Sequence, residues 1–235
     1  MGFLLKKVFV GVPKTVGDKD AKSVMDREWT SAIFKEPVAG PILVGKTGLS
    51  GNEVYDTKNH GGPEKAVFAY SLENYVYWQN ELGNSEMGPG GMGENFFLEN
   101  MTEDEVCIGD TYQIGDAVVQ VSQPRQPCWK PARRFKIKTL ALLIQNTGRT
   151  GWYFRVLKEG LVEEGQTYTL LERPYPQWTI QKCNEILHGK EPDFEEMREL
   201  SQCELLAPGM RETLEKRVAL KTTPDITGRV FGPNA

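Results

Sequence analysis

One thiol in this chain is set apart by its neighbours. Cys128 lies in the segment Ser122–Lys130, SQPRQPCWK, with Arg125 three residues before it and Lys130 two residues after it. Cations beside a thiol favour the thiolate and lower its pKa. A thiolate is either a nucleophile or a soft metal ligand. The same residues also fit an inert cysteine packed in a loop at a strand end, because free cysteine behaves as a small core residue. Pro124 and Pro127 fix φ and push Gln123 and Gln126 toward extended conformations. With Pro131 closing it, the segment is expected to be stiff and non-helical.

Other polar residues sit where a ligand could meet them. Glu94 and Asn95 follow the glycine-dense stretch Gly88–Gly93, whose backbone could approach a ligand closely or simply turn. That stretch matches neither the phosphate-binding loop nor the dinucleotide fingerprint. His60 precedes Gly61 and Gly62. Arg155 falls on an alternating run, Trp152–Leu157, with Trp152, Phe154 and Val156 on one face and Tyr153, Arg155 and Leu157 on the other.

The elements that must position these residues are mostly short strands. Lys6–Val12, Thr30–Lys35, Gly40–Gly45, Phe96–Leu98, the region 106–121, Trp152–Leu157 and Gln166–Glu172 have strand patterns, with Glu36–Ala39 as a turn. Leu72, Tyr75, Trp78 and Leu82 recur at helical spacing, with Ser71 as N-cap and Gly83 as terminator. Phe135–Asn146 reads as one further helix. Close-spaced strands with few helices predict a mainly β chain forming a closed or nearly closed barrel. After Arg173-Pro-Tyr-Pro176 the sequence turns helical, over about 180–187, 193–200 and 210–220, and the tail from Lys221 to Ala235 is expected to be extended or disordered. The division is thus a barrel over 1–173, three helices over 174–221 and a tail over 222–235.

With 235 residues the chain can bury a core without disulfides or metal. A net charge of −4 argues against a general nucleic-acid binder. The C-terminal helices carry mixed charge with no basic stripe, so a docking role for a partner or a second subunit, such as a homodimer, suits them better than DNA. No stretch is long and apolar enough to span a bilayer, and the N-terminus lacks a full signal peptide. The four cysteines, Cys107, Cys128, Cys183 and Cys203, form no CxxC pair and no zinc spacing. Free thiols fit a cytoplasmic location.

Five stretches in series resemble the MOSC family, the domains related to the C-terminal part of molybdenum cofactor sulfurases. They are Ile33–Pro41, His60–Val67, Gly93–Asn95, Gln123–Lys130 and Thr150–Leu157. The helices from about Gln177 to Ala219 resemble the three-helix module of its YiiM-like branch. The resemblance implies a distorted β-barrel and a pocket for a molybdopterin-type molybdenum cofactor, with molybdenum ligated by Cys128, the catalytic position. It directs Arg125, Arg155 and Lys35 toward the cofactor's phosphate, Asn95 toward its pterin edge, and His60 toward the cofactor or a neighbouring loop. The implied activity is reduction of N-hydroxylated compounds, to amine and water. With no flavin or iron–sulfur motif in the chain, electrons are expected from a separate donor such as a flavoprotein reductase. A cofactor carrier without turnover fits the same pocket.

Overall fold

The alternating apolar residues of the first two thirds of the chain build strands that close on themselves. The computed structural model describes residues 3–234. The strands are β1 (Phe3–Val10), β2 (Lys14–Val16), β3 (Trp29–Ser31), β4 (Glu36–Pro37), β5 (Ile42–Gly45), β6 (Gly48–Leu49), β7 (Val67–Ser71), β8 (Phe96–Glu99), β9 (Thr111–Ile114), β10 (Ala117–Pro124), β11 (Trp152–Lys158), β12 (Gly160–Val162) and β13 (Thr167–Glu172). The helices are α1 (Thr57–His60), α2 (Leu72–Leu82), α3 (Trp129–Phe135), α4 (Leu140–Thr147), α5 (Ile180–His188), α6 (Phe194–Ser201), α7 (Pro208–Leu220) and α8 (Thr227–Val230). The barrel runs β1-β8-β7-β11-β10-β9-β13, and β13 pairs back onto β1 with Phe3 opposite Tyr168. β7 and β8 pair in parallel, and α2 lies in the crossover that such a pair requires.

Two apolar layers follow from the strand period of two. On β11, Trp152, Phe154 and Val156 enter the barrel interior with Leu5, Val119 and Tyr168, while Tyr153 joins an outer cluster with Phe68, Tyr70, Trp78 and Leu140. β7 contributes to both layers: Val67 and Ala69 face in, Phe68 and Tyr70 face out, and all five of its residues are buried. That strand gave no alternating signal in the sequence, because neither face meets water. The cap of α2 forms as expected, with Ser71 Oγ accepting from Asn74 N and Gly83 left-handed at φ +59°.

Three α-helices, α5 to α7, extend the interior core rather than forming a separate one. Ile180, Cys183, Met197, Leu200 and Leu214 belong to the same buried cluster as the barrel interior. Backbone bonds stitch the two parts together: Ile108 N to Trp178 O at 2.9 Å, Ile180 N to Val106 O at 2.8 Å, and Ala207 N to Ser122 O at 2.9 Å.

Several sequence expectations are corrected here. The helix expected over Phe135–Asn146 forms as α4 but begins only at Leu140, because Phe135 instead ends α3, where Lys136 takes a left-handed conformation at φ +56°. The strand expected over Thr30–Lys35 stops at Ser31, and Glu36–Pro37 pairs with Phe9 and Val10 instead of turning. The tail, expected to be extended or disordered, carries α8 and a 3-10 turn over Gly232–Asn234; Val230 and Asn234 are buried, and Asn234 Nδ2 donates to Trp129 O.

The face assignment on β11 has a direct consequence. Trp152→Ala should cost about 3–5 kcal/mol of unfolding free energy. Leu157→Ala, at a position 44% exposed on the same strand, should cost less than about 0.5 kcal/mol. Urea unfolding of both variants measures the contrast.

Candidate functional site

Three pieces of chain converge at one end of the barrel. β10 ends at Pro124, and Arg125 N still donates to Gly151 O at 3.0 Å, which holds the next residues at the rim. Cys128 follows in an extended conformation, φ −126°, as the residue before α3. The segment Ser122–Lys130 was expected to be non-helical, yet Trp129 and Lys130 open α3. Pro131 lies in that first turn, where its missing N–H costs nothing.

The second piece is a single helical turn. Asp56 caps α1 by accepting from Asn59 N at 3.2 Å, so the turn ends on His60. Gly62, at φ +98°, then reverses the chain into a 3-10 turn over Pro63–Lys65. That turn is pinned from below: Ser122 Oγ lies 2.6 Å from Glu64 O, and Arg155 Nε donates to Glu64 Oε2 at 2.8 Å. The third piece is the loop that carries Lys35, whose ammonium donates to Asn52 Oδ1.

Together they line an open cleft with about 100 Å³ of enclosed space. In it, His60 Nε2 lies 3.6 Å from Cys128 Sγ and Arg125 Nη2 lies 3.9 Å from it. On the far side of the imidazole, Nδ1 is 3.3 Å from Asp56 Oδ2 and 3.4 Å from Lys130 Nζ, and Lys130 Nζ is 3.5 Å from the same carboxylate oxygen. Burial pushes the Cys128 thiol up, but the His60 hydrogen bond and the charges of Arg125, His60 and Lys130 outweigh it and bring it down to about 6. Burial alone works on Lys35 in the other direction and lowers it to about 8, with the Glu94 charge opposing. Asp56, which burial would raise, is held below the usual carboxylate range by Asn59, Lys130 and His60. Burial raises Tyr153 to about 12, though Arg125 opposes the rise.

The cleft is over-supplied with positive charge. Arg125 is 4% exposed, and its guanidinium meets the Phe68 ring at 5.4 Å and the Cys128 sulfur. Among the described residues neither Arg125, Lys35 nor Lys65 has a carboxylate within ion-pairing distance. A buried cation without such a partner, as Arg125 is among the described residues, is costly, and it favours an anion beside it.

Of the residues singled out in the sequence, Lys35, His60, Asn95, Arg125 and Cys128 line this cleft. Asn95 borders it with its amide already engaged: Oδ1 accepts from Phe68 N at 3.2 Å and Nδ2 donates to Phe9 O at 3.1 Å, which ties β1 to β7. Arg155, expected at the cofactor phosphate, lies outside the cleft. Its guanidinium is spent on Glu64, on Gln120 Oε1 at 2.8 Å and on Leu205 O at 2.9 Å. It acts on the site through Glu64, by fixing the turn that carries Lys65, whose ammonium donates to Asn59 O at 2.8 Å. Asp56 and Lys65 were not anticipated. Asp56 stands four residues before His60, the spacing that puts both on one face of a helical turn, and that was the available signal.

Residues 56–169 match the MOSC domain, and residues 178–220 match the YiiM-like, 3-alpha helix domain. The chain is 40% identical over 177 residues to YflK of Bacillus subtilis, described as uncharacterized, which covers 75% of this chain and 77% of that protein. It is 38% identical over 184 residues to a Gibberella moniliformis protein named a reductase; the match takes in 77% of this chain but 33% of that longer protein. The crystal structure of YiiM from Geobacillus stearothermophilus superposes with a TM-score of 0.76 at 38% identity, covering 92% of this chain and 99% of that one.

The electrostatics of the cleft predict selective chemistry at one thiol. Burial raises Cys107, Cys183 and Cys203 above the ordinary thiol range. Iodoacetamide on the native protein at pH 7 should therefore modify Cys128 first, as read by peptide mass spectrometry. Because the thiolate is lost as pH falls through about 6, the rate should be half-maximal there and flat above. His60→Ala should move that midpoint upward; an unmoved midpoint removes His60 from the account.

Proposed function

The chain belongs to the MOSC family, in the branch with a YiiM-like three-helix domain, and we propose that it is a molybdenum-cofactor-dependent reductase of N-hydroxylated compounds. MOSC domains are associated with the molybdenum cofactor, and one relative carries the name reductase. The observation that carries the proposal is the donor set of the cleft: a thiolate at Cys128 beside a buried arginine with no carboxylate partner among the described residues.

The residues fit such a group. A thiolate suits a metal already coordinated by sulfur. No cluster of three or more His, Cys, Asp or Glu side chains that could hold a metal occurs among the described residues, so Cys128 would be the ligand from the protein. Arg125, Lys35 and Lys65 supply the positive charge that a terminal phosphate needs. The enclosed space, about 100 Å³, is smaller than such a molecule, so part of that molecule would lie in the open mouth of the cleft. When bound, the cofactor supplies two-electron removal of oxygen from nitrogen.

The protein's own part is binding, orientation and proton supply. The overall change, R–NH–OH plus two electrons and two protons to R–NH₂ plus water, breaks the N–O bond and consumes protons. His60 is placed to hold one at Nε2, backed at Nδ1 by Asp56. Asn59 first and Lys130 second hold Asp56 below the usual carboxylate range, which keeps its carboxylate in place to orient the imidazole. The two electrons come from a separate donor, which we assign to a flavoprotein reductase, since no cysteine spacing in the chain suits an iron–sulfur cluster.

Protein made in a cofactor-producing host and assayed with a chemical reductant should reduce an N-hydroxylated base. Cys128→Ala should bring turnover to background and strip molybdenum from the purified protein. Arg125→Met should weaken cofactor retention by on the order of 10–100-fold. A Cys128→Ala protein with full activity ends this mechanism. A molybdenum-loaded wild type that turns over nothing identifies a carrier instead.

A further inference from the structure

A second cavity, of about 670 Å³, lies on the other side of the Gly61–Lys65 turn, walled by α5, α7 and the tail. Its size is that of sites for small organic ligands. Positive charge again exceeds what the wall compensates. Arg217 is 8% exposed, donates from Nη1 to Leu187 O at 3.0 Å, and leaves a fully buried Nε with no partner among the described residues. His188 and Gln126 belong to the same wall, with their Nε2 atoms turned away from the open space, buried and without partners among the described residues. Arg229 meets only neutral oxygens there, Pro127 O at 2.5 Å and Gln145 Oε1 at 2.6 Å.

The two carboxylates of the wall do not balance this. Glu64 is taken by Arg155, and Asp225 accepts from Thr227 N at 2.8 Å. His188 registers the imbalance: burial, then the charges of Arg229 and Arg217, lower it to about 3. Two guanidinium groups on one cavity, neither with a carboxylate at ion-pairing distance among the described residues, favour an anion there. Leu187 and Met210 give the same wall an apolar part.

We propose that this cavity is a second binding site, for an organic anion of up to nucleoside-monophosphate size, held by Arg217 and Arg229. The site is distinct from the Cys128 cleft but shares its wall. Lys65 lines both cavities, and Gln126 stands two residues before Cys128. An anion here would therefore brace the turn and the loop that shape the first site from the opposite side.

Titration calorimetry with inorganic phosphate, AMP and adenosine tests the assignment. AMP should bind, phosphate more weakly, and uncharged adenosine at least about tenfold more weakly than AMP. Arg217→Met should reduce AMP affinity at least about tenfold. Because Arg217 also holds Leu187 O, a second variant is needed: Thr213→Glu adds a carboxylate on an exposed residue of the wall and should abolish AMP binding while the protein melts as the wild type does. Lys35→Ala, in the first cleft, should leave AMP affinity unchanged. No binding of either anion at millimolar concentration overturns the proposal. So does binding that survives both Arg217→Met and Thr213→Glu, or binding that Lys35→Ala removes.

Discussion

A thiolate held almost out of water is the constraint that shapes this molecule's business end. Desolvation disfavours the charged sulfur, and Coulomb attraction has to exceed that penalty. The groups that do so come from different parts of the sequence: His60 from the turn before β7, Arg125 from the end of β10, Lys130 from the first turn of α3. No local segment could assemble them. The barrel brings the rim of β10 against the turn that precedes β7, and β10 and its neighbour β11 each carry one residue that fastens that turn. Ser122 and Arg155 perform that fastening through Glu64. The fold is in this sense a device for keeping an imidazole hydrogen bond and two cations near one sulfur.

Much of this was legible in the sequence wherever a residue has one face in water. The strand at Trp152–Leu157 alternates because one side packs in the barrel and the far end of the other is exposed. The helix at Leu72–Leu82 shows its cap, its period and its terminating glycine. What escaped notice is what lies buried on both sides. Val67–Ser71 has no polar face, so it has no period to read, although it is the central partner of β11 and β8. The break between α3 and α4 was also hidden, because Lys136 in a left-handed turn has no compositional sign, unlike glycine.

The site divides the same way. Cys128, Arg125, Lys35 and His60 were visible as unusual chemistry in motifs. Asn95 and Arg155 were equally visible, but their polar groups are consumed by the scaffold. Sequence shows that an arginine lies on a strand; it does not show whether a carboxylate reaches it first. Glu64, ninety-one residues away in the chain, decides that question for Arg155, and no carboxylate does so for Arg125. That difference between two arginines is the physical content of the word site here.

The tail completes the argument, since it bears on the same loop from outside. Arg229 donates to Pro127 O, and Asn234 Nδ2 to Trp129 O, so the carbonyls on either side of Cys128 are both held by residues of the last nine positions described. Gly232 packs against the Trp129 ring so closely that any Cβ there would collide at 2.3 Å. A cysteine that must present its sulfur at a fixed distance from His60 needs a backbone that cannot swing, and the prolines at 124 and 127 supply only part of that stiffness. The remainder comes from chain distant in sequence, bonded to the two carbonyls that flank the thiol. Rigidity at the thiol is thus built in from the barrel rim beneath and from the C-terminal turn above.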